Sequence, residues 1–221
     1  MKAIILAAGR GKRMRHLTDD LPKPLLKLAG KTFLDYIFDS FTEEINEAIL
    51  VIGYMGEKIK EYLGENYKGR KIYYVVQREL SGTGNAVLLT KHLFKEKERF
   101  LIFYADELVS KDDVEKCLEN EFGWLCWEVE NPRASGIVTI SPGGFITEII
   151  EKPQNPKSNL GGGGLMLVNA DLFGCAPDKH ETGEYYLTSM MNKFVKDHKV
   201  KAVVSKNRPS FTSPEDINRV I

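Results

Sequence analysis

The chain has 221 residues, 43% of them hydrophobic and 28% charged, with 31 lysines and arginines against 31 aspartates and glutamates. A chain of this length and composition can bury a core without staples, which excludes disorder and collagen-like repeats. Its formal net charge of zero leaves no general cationic field for nucleic acid, so any bound anion must be held by a local concentration of charge.

Residues 3–8 are apolar, stop at Gly9 and predict a buried strand. That run is too short for a signal-peptide core, and no stretch approaches the ~20 apolar residues of a membrane helix. The three cysteines, Cys117, Cys126 and Cys175, show neither metal spacing nor a disulfide framework. A soluble, cytoplasmic protein is expected. Phe33, Leu34, Ile37, Phe38 and Phe41 fall at helical spacing, and 48–52 predicts a second strand ended by Gly53. A helix over 58–63, a strand over 72–76, a helix over 83–94 and a strand over 100–104 follow. Ser110, with Asp113 three residues on, predicts the start of a helix over 111–118.

This alternation implies a mostly parallel sheet with helices on both faces. Beyond about residue 123 the pattern changes. Strands at 137–140 and 145–150 flank Ser141-Pro142-Gly143-Gly144 and predict a hairpin; a strand at 161–168, a helix at 185–195 and a strand at 200–204 close the chain. With no linker, repeat or low-complexity segment, one domain over 1–221 is expected, its halves meeting near 122/123. His16, His92, His180 and His198 form no ligand or triad pattern.

The densest chemical signal lies between Leu6 and Lys31. Seven basic side chains (Arg10, Lys12, Arg13, Arg15, Lys23, Lys27 and Lys31) meet two acidic ones, Asp19 and Asp20. The cluster follows the first strand, where an α/β sheet opens its ligand crevice. Gly9 and Gly11 let backbone N–H groups come close to a phosphate because no Cβ intervenes. Met14 breaks the Gly-x-Gly-x-x-Gly fingerprint, and Gly-Lys-Ser/Thr is absent.

The stretch from Leu6-Ala7-Ala8-Gly9-Arg10-Gly11-Lys12-Arg13-Met14 through Leu17-Thr18 to Pro22-Lys23-Pro24-Leu25-Leu26 resembles the entry signature of the nucleoside-diphosphate-sugar pyrophosphorylases, the sugar-1-phosphate nucleotidylyltransferases. Lys12 stands where the family usually has Thr or Ser. The likeness continues in Gln77 with Leu80-Ser81-Gly82-Thr83-Gly84-Asn85-Ala86, in Tyr104-Ala105-Asp106, in Asn131-Pro132-Arg133-Ala134-Ser135-Gly136 and in Glu151-Lys152-Pro153. Asn159 and the glycines at 161–164 fall where that family's next sugar-lining strand begins.

The resemblance implies a Rossmann-like α/β fold of the GT-A-like nucleotidyltransferase kind, with an NTP-binding half over about 1–122 and a sugar-phosphate half over about 123–221. The reaction it implies is NTP plus sugar 1-phosphate giving NDP-sugar plus pyrophosphate. Such chemistry asks for positioning and charge neutralisation and needs no covalent nucleophile. Leu6, Ala8, Gly9, Gly11 and Lys12 would line the nucleotide, with Arg13 on the β- and γ-phosphates. Gln77, Gly82 and Thr83 would read a pyrimidine, UTP or dTTP. Lys23, a compact point charge, would meet the α-phosphate, and Asp106 would bind Mg²⁺. Gly136, Glu151, Lys152 and Asn159 would hold the sugar phosphate.

Ser210 occupies the place of the family's second metal-binding Asp, with Pro214-Glu215-Asp216 after it, so an unusually high Mg²⁺ requirement is expected. No hexapeptide repeat follows, so no appended acetyltransferase helix is expected. The alternatives are a sugar transferase, a cytidylyltransferase for a non-sugar alcohol phosphate, and a non-catalytic regulator that binds a nucleotide sugar. The family's members are commonly oligomeric, which makes a homo-oligomer an expectation; neither a membrane nor a nucleic-acid partner is implied.

Overall fold

Short apolar runs rich in β-branched and aromatic residues build the centre of the molecule. The computed structural model describes residues 1–206; Ser210 and the Pro214-Glu215-Asp216 segment lie outside the described residues. Strand β1 (Lys2–Ala7) leads into a loop with 3-10 turns at Lys12–Thr18 and Lys23–Leu25, and then a small ribbon, β2 (Lys27–Leu28) with β3 (Lys31–Thr32). Next come α1 (Phe33–Asp39), β4 (Glu47–Ile52), α2 (Gly56–Leu63), β5 (Asn66–Tyr67) and β6 (Arg70–Val76). After these follow α3 (Thr83–Leu88), β7 (Arg99–Tyr104) and α4 (Lys111–Leu118). The remainder adds β8 (Phe122–Glu128), β9 (Gly136–Ile140), β10 (Ile146–Glu151), β11 (Leu160–Asn169), α5 (Leu187–Asp197) and β12 (Val200–Val204).

β7, β1, β4 and β6 lie side by side and parallel, with Ile4 opposite Ile102 on one flank and Ile49 on the other. β11 joins β7 antiparallel and carries both β8 and β9, so one sheet runs through both halves. Helices cover both faces. Leu34, Ile37, Ile59, Leu63 and Val114 of α1, α2 and α4 pack on one side, and Val87, Leu187, Met190 and Phe194 of α3 and α5 pack on the other. The fold is the GT-A-like α/β architecture that the sequence implies, parallel at its centre and antiparallel beyond β7. Among the described residues, no helix is long and apolar enough to cross a membrane.

Most elements stand where the periodicity places them. Ser110 caps α4 through a reciprocal capping box with Asp113, and β9 and β10 form the expected hairpin around the turn at 141–144. Two expectations are corrected. The helix predicted over 83–94 ends at Leu88 and resumes only as a 3-10 turn at Lys91–Leu93. At the break, the hydroxyl of buried Thr90 donates to the Val87 carbonyl at 2.7 Å, a local bond of the kind that weakens a helix ladder. The second is β8, which was not expected. Phe122-Gly123-Trp124-Leu125-Cys126-Trp127 is buried on both faces and has no alternation to announce it.

Candidate active site

After β1 the chain goes to β4 on one side, while β7 is later laid on the other. This change of direction opens a crevice at the C-terminal ends of β1 and β7, the usual ligand position of such sheets. The end of β1 is fixed from both flanks: Tyr54 N–H donates to the Ala8 carbonyl at 3.0 Å, and Ala105 N–H donates to the Leu6 carbonyl at 3.2 Å. A Cβ on Gly53 would stand 2.8 Å from the Ala8 oxygen, so the strand ends approach as closely as glycine allows.

The basic loop has its own anchor. Met14 is fully buried with Leu26, Leu28 and Phe33, while its neighbours Lys12, Arg13, Arg15 and His16 are exposed. Burial of one apolar side chain therefore holds a loop whose charges point to solvent. Gly9 is exposed, with nothing within 4 Å of a Cβ built on it; packing does not require glycine there. Gly11 is left-handed, at φ 63°, and its missing Cβ would lie 3.0 Å from Lys23 Cβ. Arg10 lies over the Tyr54 ring at 5.3 Å.

Pro22 and Pro24 hold Lys23 in a tight turn, and its side chain is only 7% exposed. Its Nζ is 2.8 Å from Asp106 Oδ2, on the turn after β7, and Asp106 is 40% exposed. The two lie 83 positions apart in sequence and meet at the mouth of the crevice. The neighbouring Glu107 points the other way. It is buried, and its Oε2 accepts the Gly164 N–H at 2.6 Å. Desolvation, reinforced by the Asp106 charge and only partly offset by that hydrogen bond and by Lys23, pushes its carboxyl up to about 8. Glu107 is thus committed to β11 and unavailable as a partner ligand to Asp106. Among the described residues, no group of three His, Cys, Asp or Glu could hold a metal. Asp106, a half-exposed carboxylate paired with Lys23, suits a divalent ion whose shell is completed by phosphates and water.

Gln77 follows β6 and is buried; its Nε2 donates to the Gly82 carbonyl at 3.1 Å. Gly82 has φ 111°, and a Cβ on it would be 2.4 Å from the Tyr185 oxygen. Both a conformational and a packing demand therefore account for that glycine. Thr83 Oγ1 accepts the Leu187 N–H at 2.9 Å.

A second cluster forms where β9, β10 and α5 meet. Gly136 stands opposite Glu151 in register. A Cβ at Gly136 would be 2.8 Å from Thr188 Cγ2 and 3.1 Å from Glu151 Oε2. Thr188 Oγ1 donates to that same Oε2 at 2.9 Å. Lys152 donates to the Tyr186 hydroxyl at 3.0 Å and lies 3.7 Å from Glu151 Oε1. Burial works against its ammonium, but the Tyr186 hydrogen bond and the Glu151 charge outweigh this, so its pKa lies above the ordinary lysine value. Asn159 is exposed; its carbonyl accepts the Val129 N–H at 2.8 Å, a backbone bond that shapes the entry to β11.

Tyr104 stands between the clusters. Burial first, then the carboxylates of Glu151 and Glu107, raise its phenol pKa, against a hydrogen bond with Thr83. Of the residues singled out in sequence, seven form two groups, while Gln77, Gly82 and Thr83 lie between the end of β6 and the start of α3. Gly9, Gly11, Lys23 and Asp106 lie at the crevice; Gly136, Glu151 and Lys152 lie beside α5. Thr188 and Tyr186 were not anticipated, because their partners are 37 and 34 positions away and no short motif joins them.

A family described as nucleotidyl transferase matches residues 2–208. The bifunctional protein GlmU of Methanocaldococcus jannaschii is 36% identical over 205 residues, covering 92% of this chain and 49% of that protein. The UTP–glucose-1-phosphate uridylyltransferase AglF of Haloferax volcanii is 31% identical, covering 89% of this chain and 84% of the relative. The chain spans about half the length of the first curated relatives it matches. Among solved structures, a putative glucose-1-phosphate thymidylyltransferase from Bacillus anthracis aligns with a TM-score of 0.83 at 23% identity, over 100% of this chain and 93% of the other. A UDP-glucose pyrophosphorylase complexed with UDP-glucose aligns equally well, with a TM-score of 0.83 at 20% identity over 99% and 96%. At those identities the structural matches speak for the fold.

Proposed function

The chain belongs to the nucleotidyl transferase family, and from that premise we propose that it transfers a nucleotidyl group from an NTP to a sugar 1-phosphate, releasing pyrophosphate. The observation that carries this reading is the Lys23–Asp106 pair, at 2.8 Å, beside the Gly9–Gly11 loop at the mouth of the crevice. Lys23 would leave Asp106 for the α-phosphate, the centre that gains charge as an oxygen of the sugar phosphate attacks in line. Arg13, exposed on the basic loop, would hold the β- and γ-phosphates and stabilise the departing pyrophosphate. Asp106, so released, would hold Mg²⁺, which neutralises phosphate charge when bound. Glu151 would take sugar hydroxyls and Lys152 the sugar's phosphate, with Gly136 and Asn159 at the same pocket. No side chain needs to form a covalent bond in such a transfer.

The base is proposed to be a pyrimidine, UTP or dTTP, because the amide of Gln77 matches the O4/N3–H edge shared by uracil and thymine. The Haloferax relative is named for UTP. Pyrophosphate release from a panel of NTPs crossed with several sugar 1-phosphates tests both parts. The expected result is turnover with UTP or dTTP ahead of GTP and ATP; preferential consumption of GTP at equal concentrations would overturn the base assignment. An alcohol phosphate accepted in place of every sugar phosphate would favour the cytidylyltransferase alternative.

Ser210, outside the described residues, is the observation that favours a regulatory reading. A hydroxyl is a weaker Mg²⁺ ligand than a carboxylate, so Ser210→Asp is expected to lower the Mg²⁺ concentration for half-maximal rate. A wild-type protein that makes no NDP-sugar at any Mg²⁺ level, yet binds one tightly, would instead be a regulator.

A further inference from the structure

The Lys152 backbone is left-handed, at φ 45°, a conformation that is unfavourable for a residue with a Cβ. Strain of this kind persists only where surrounding contacts hold it. Two contacts do so. Lys152 N–H donates to the Ser135 carbonyl at 3.0 Å. At the other end its ammonium donates to the Tyr186 hydroxyl at 3.0 Å and lies 4.5 Å from the centre of that ring. The phenol is itself oriented: it donates to the Glu184 carboxylate, shares a 3.2 Å hydrogen bond with the Thr182 hydroxyl, and stands edge-on to the His180 ring. With its proton on Glu184, the Tyr186 oxygen is left as an acceptor for Lys152.

We propose that Tyr186 is a positioning residue for Lys152, its phenol holding the ammonium beside Glu151 where an incoming sugar phosphate would be met. The proposal rests on the functional reading above and extends it to a residue at the entry of α5. Tyr186 itself need not touch substrate. Its segment is pinned independently of Lys152, because Tyr185 N–H donates to the Ser81 carbonyl, Gly84 N–H to the Tyr185 carbonyl, and Leu187 N–H to Thr83 Oγ1. The phenol therefore offers Lys152 a fixed mount.

The first test needs no substrate. Lysines are reductively ¹³C-dimethylated, and the Lys152 methyl signal is assigned by its loss in Lys152→Arg. In the wild type it should be shifted upfield by the Tyr186 ring, stay so in Tyr186→Phe, and return to the exposed-lysine position in Tyr186→Leu. A wild-type signal already at the exposed position overturns the proposal. The second test is kinetic, on the substrate pair that the panel selects. Tyr186→Leu should raise KM for the sugar 1-phosphate about tenfold and Tyr186→Phe about threefold, with KM for the NTP and the Tm unchanged. In a Lys152→Ala background, Tyr186→Leu should add nothing. Equal increases in both KM values, or a full additional loss in that background, overturn the positioning role. A protein that turns over no pair defeats the functional reading and leaves the NMR arm to decide the contact.

Discussion

Lys23→Ala is expected to cut turnover at least ~10²-fold, the scale for losing one charge partner of a transition state, while KM for the NTP changes less. Lys23 is held at the crevice by its flanking prolines and by contact with Gly11, and its ammonium reaches Asp106 at 2.8 Å. Its removal has two consequences. The reaction centre loses a cation that is already desolvated, and the Asp106 carboxylate loses the partner that neutralises it in the free protein. The second should show without chemistry: Mn²⁺ bound to the nucleotide-free protein, measured by electron paramagnetic resonance, should increase in Lys23→Ala because Asp106 is released. Near-normal turnover in the mutant would remove Lys23 from the mechanism.

Gly163→Ala should destabilise the protein strongly. A Cβ at Gly163 would stand 1.8 Å from Trp127 Cζ3 and 2.3 Å from Cη2. No rotamer adjustment of a buried indole absorbs such an overlap, because Trp127 is 5% exposed and packed in the core. The Gly163 carbonyl also accepts the Trp124 Nε1–H at 2.6 Å, so moving the strand away breaks a buried hydrogen bond. Overpacking costs typically 1–3 kcal/mol, occasionally more. At the upper end, about 3 kcal/mol, this corresponds to a fall in Tm of roughly 6–12 °C for a chain of this size. Combining Gly163→Ala with Trp127→Leu should be less damaging than the two single losses added together, since the smaller side chain vacates the clashing volume. Strict additivity would mean that the indole is not what the glycine accommodates.

That result bears on how the four glycines at 161–164 are understood. In sequence they fall where the family's next sugar-lining strand begins. In the fold three of them make room for rings: a Cβ would strike Trp124 from Gly162, Trp127 from Gly163, and Tyr104 and Glu107 from Gly164, while one on Gly161 would strike Val129. Close approach to an apolar strand is what glycine in such a run implies, but the partners could not be named, since β8 itself was hidden in an unbroken apolar run.

Local physics was legible from the residues alone. Apolar runs and helical spacing placed β1, β4, β6 and β7 with α1 and α2, the Ser110–Asp113 box placed α4, and glycine after β1 marked the crevice, because each signal lies within a few positions of the element it specifies. What only tertiary structure decided depends on residues far apart in the chain. Lys23 and Asp106 are 83 positions apart, and their pairing needs β1 and β7 to be neighbours in the sheet. Thr188 on Glu151 and Tyr186 on Lys152 need α5 to pack against the end of β10. Glu107 shows the same division at a single residue. It directly follows Asp106 in the chain, but the turn after β7 separates the two carboxylates: Asp106 meets Lys23, whereas the Gly164 N–H on the adjoining strand takes the Glu107 carboxylate into the core.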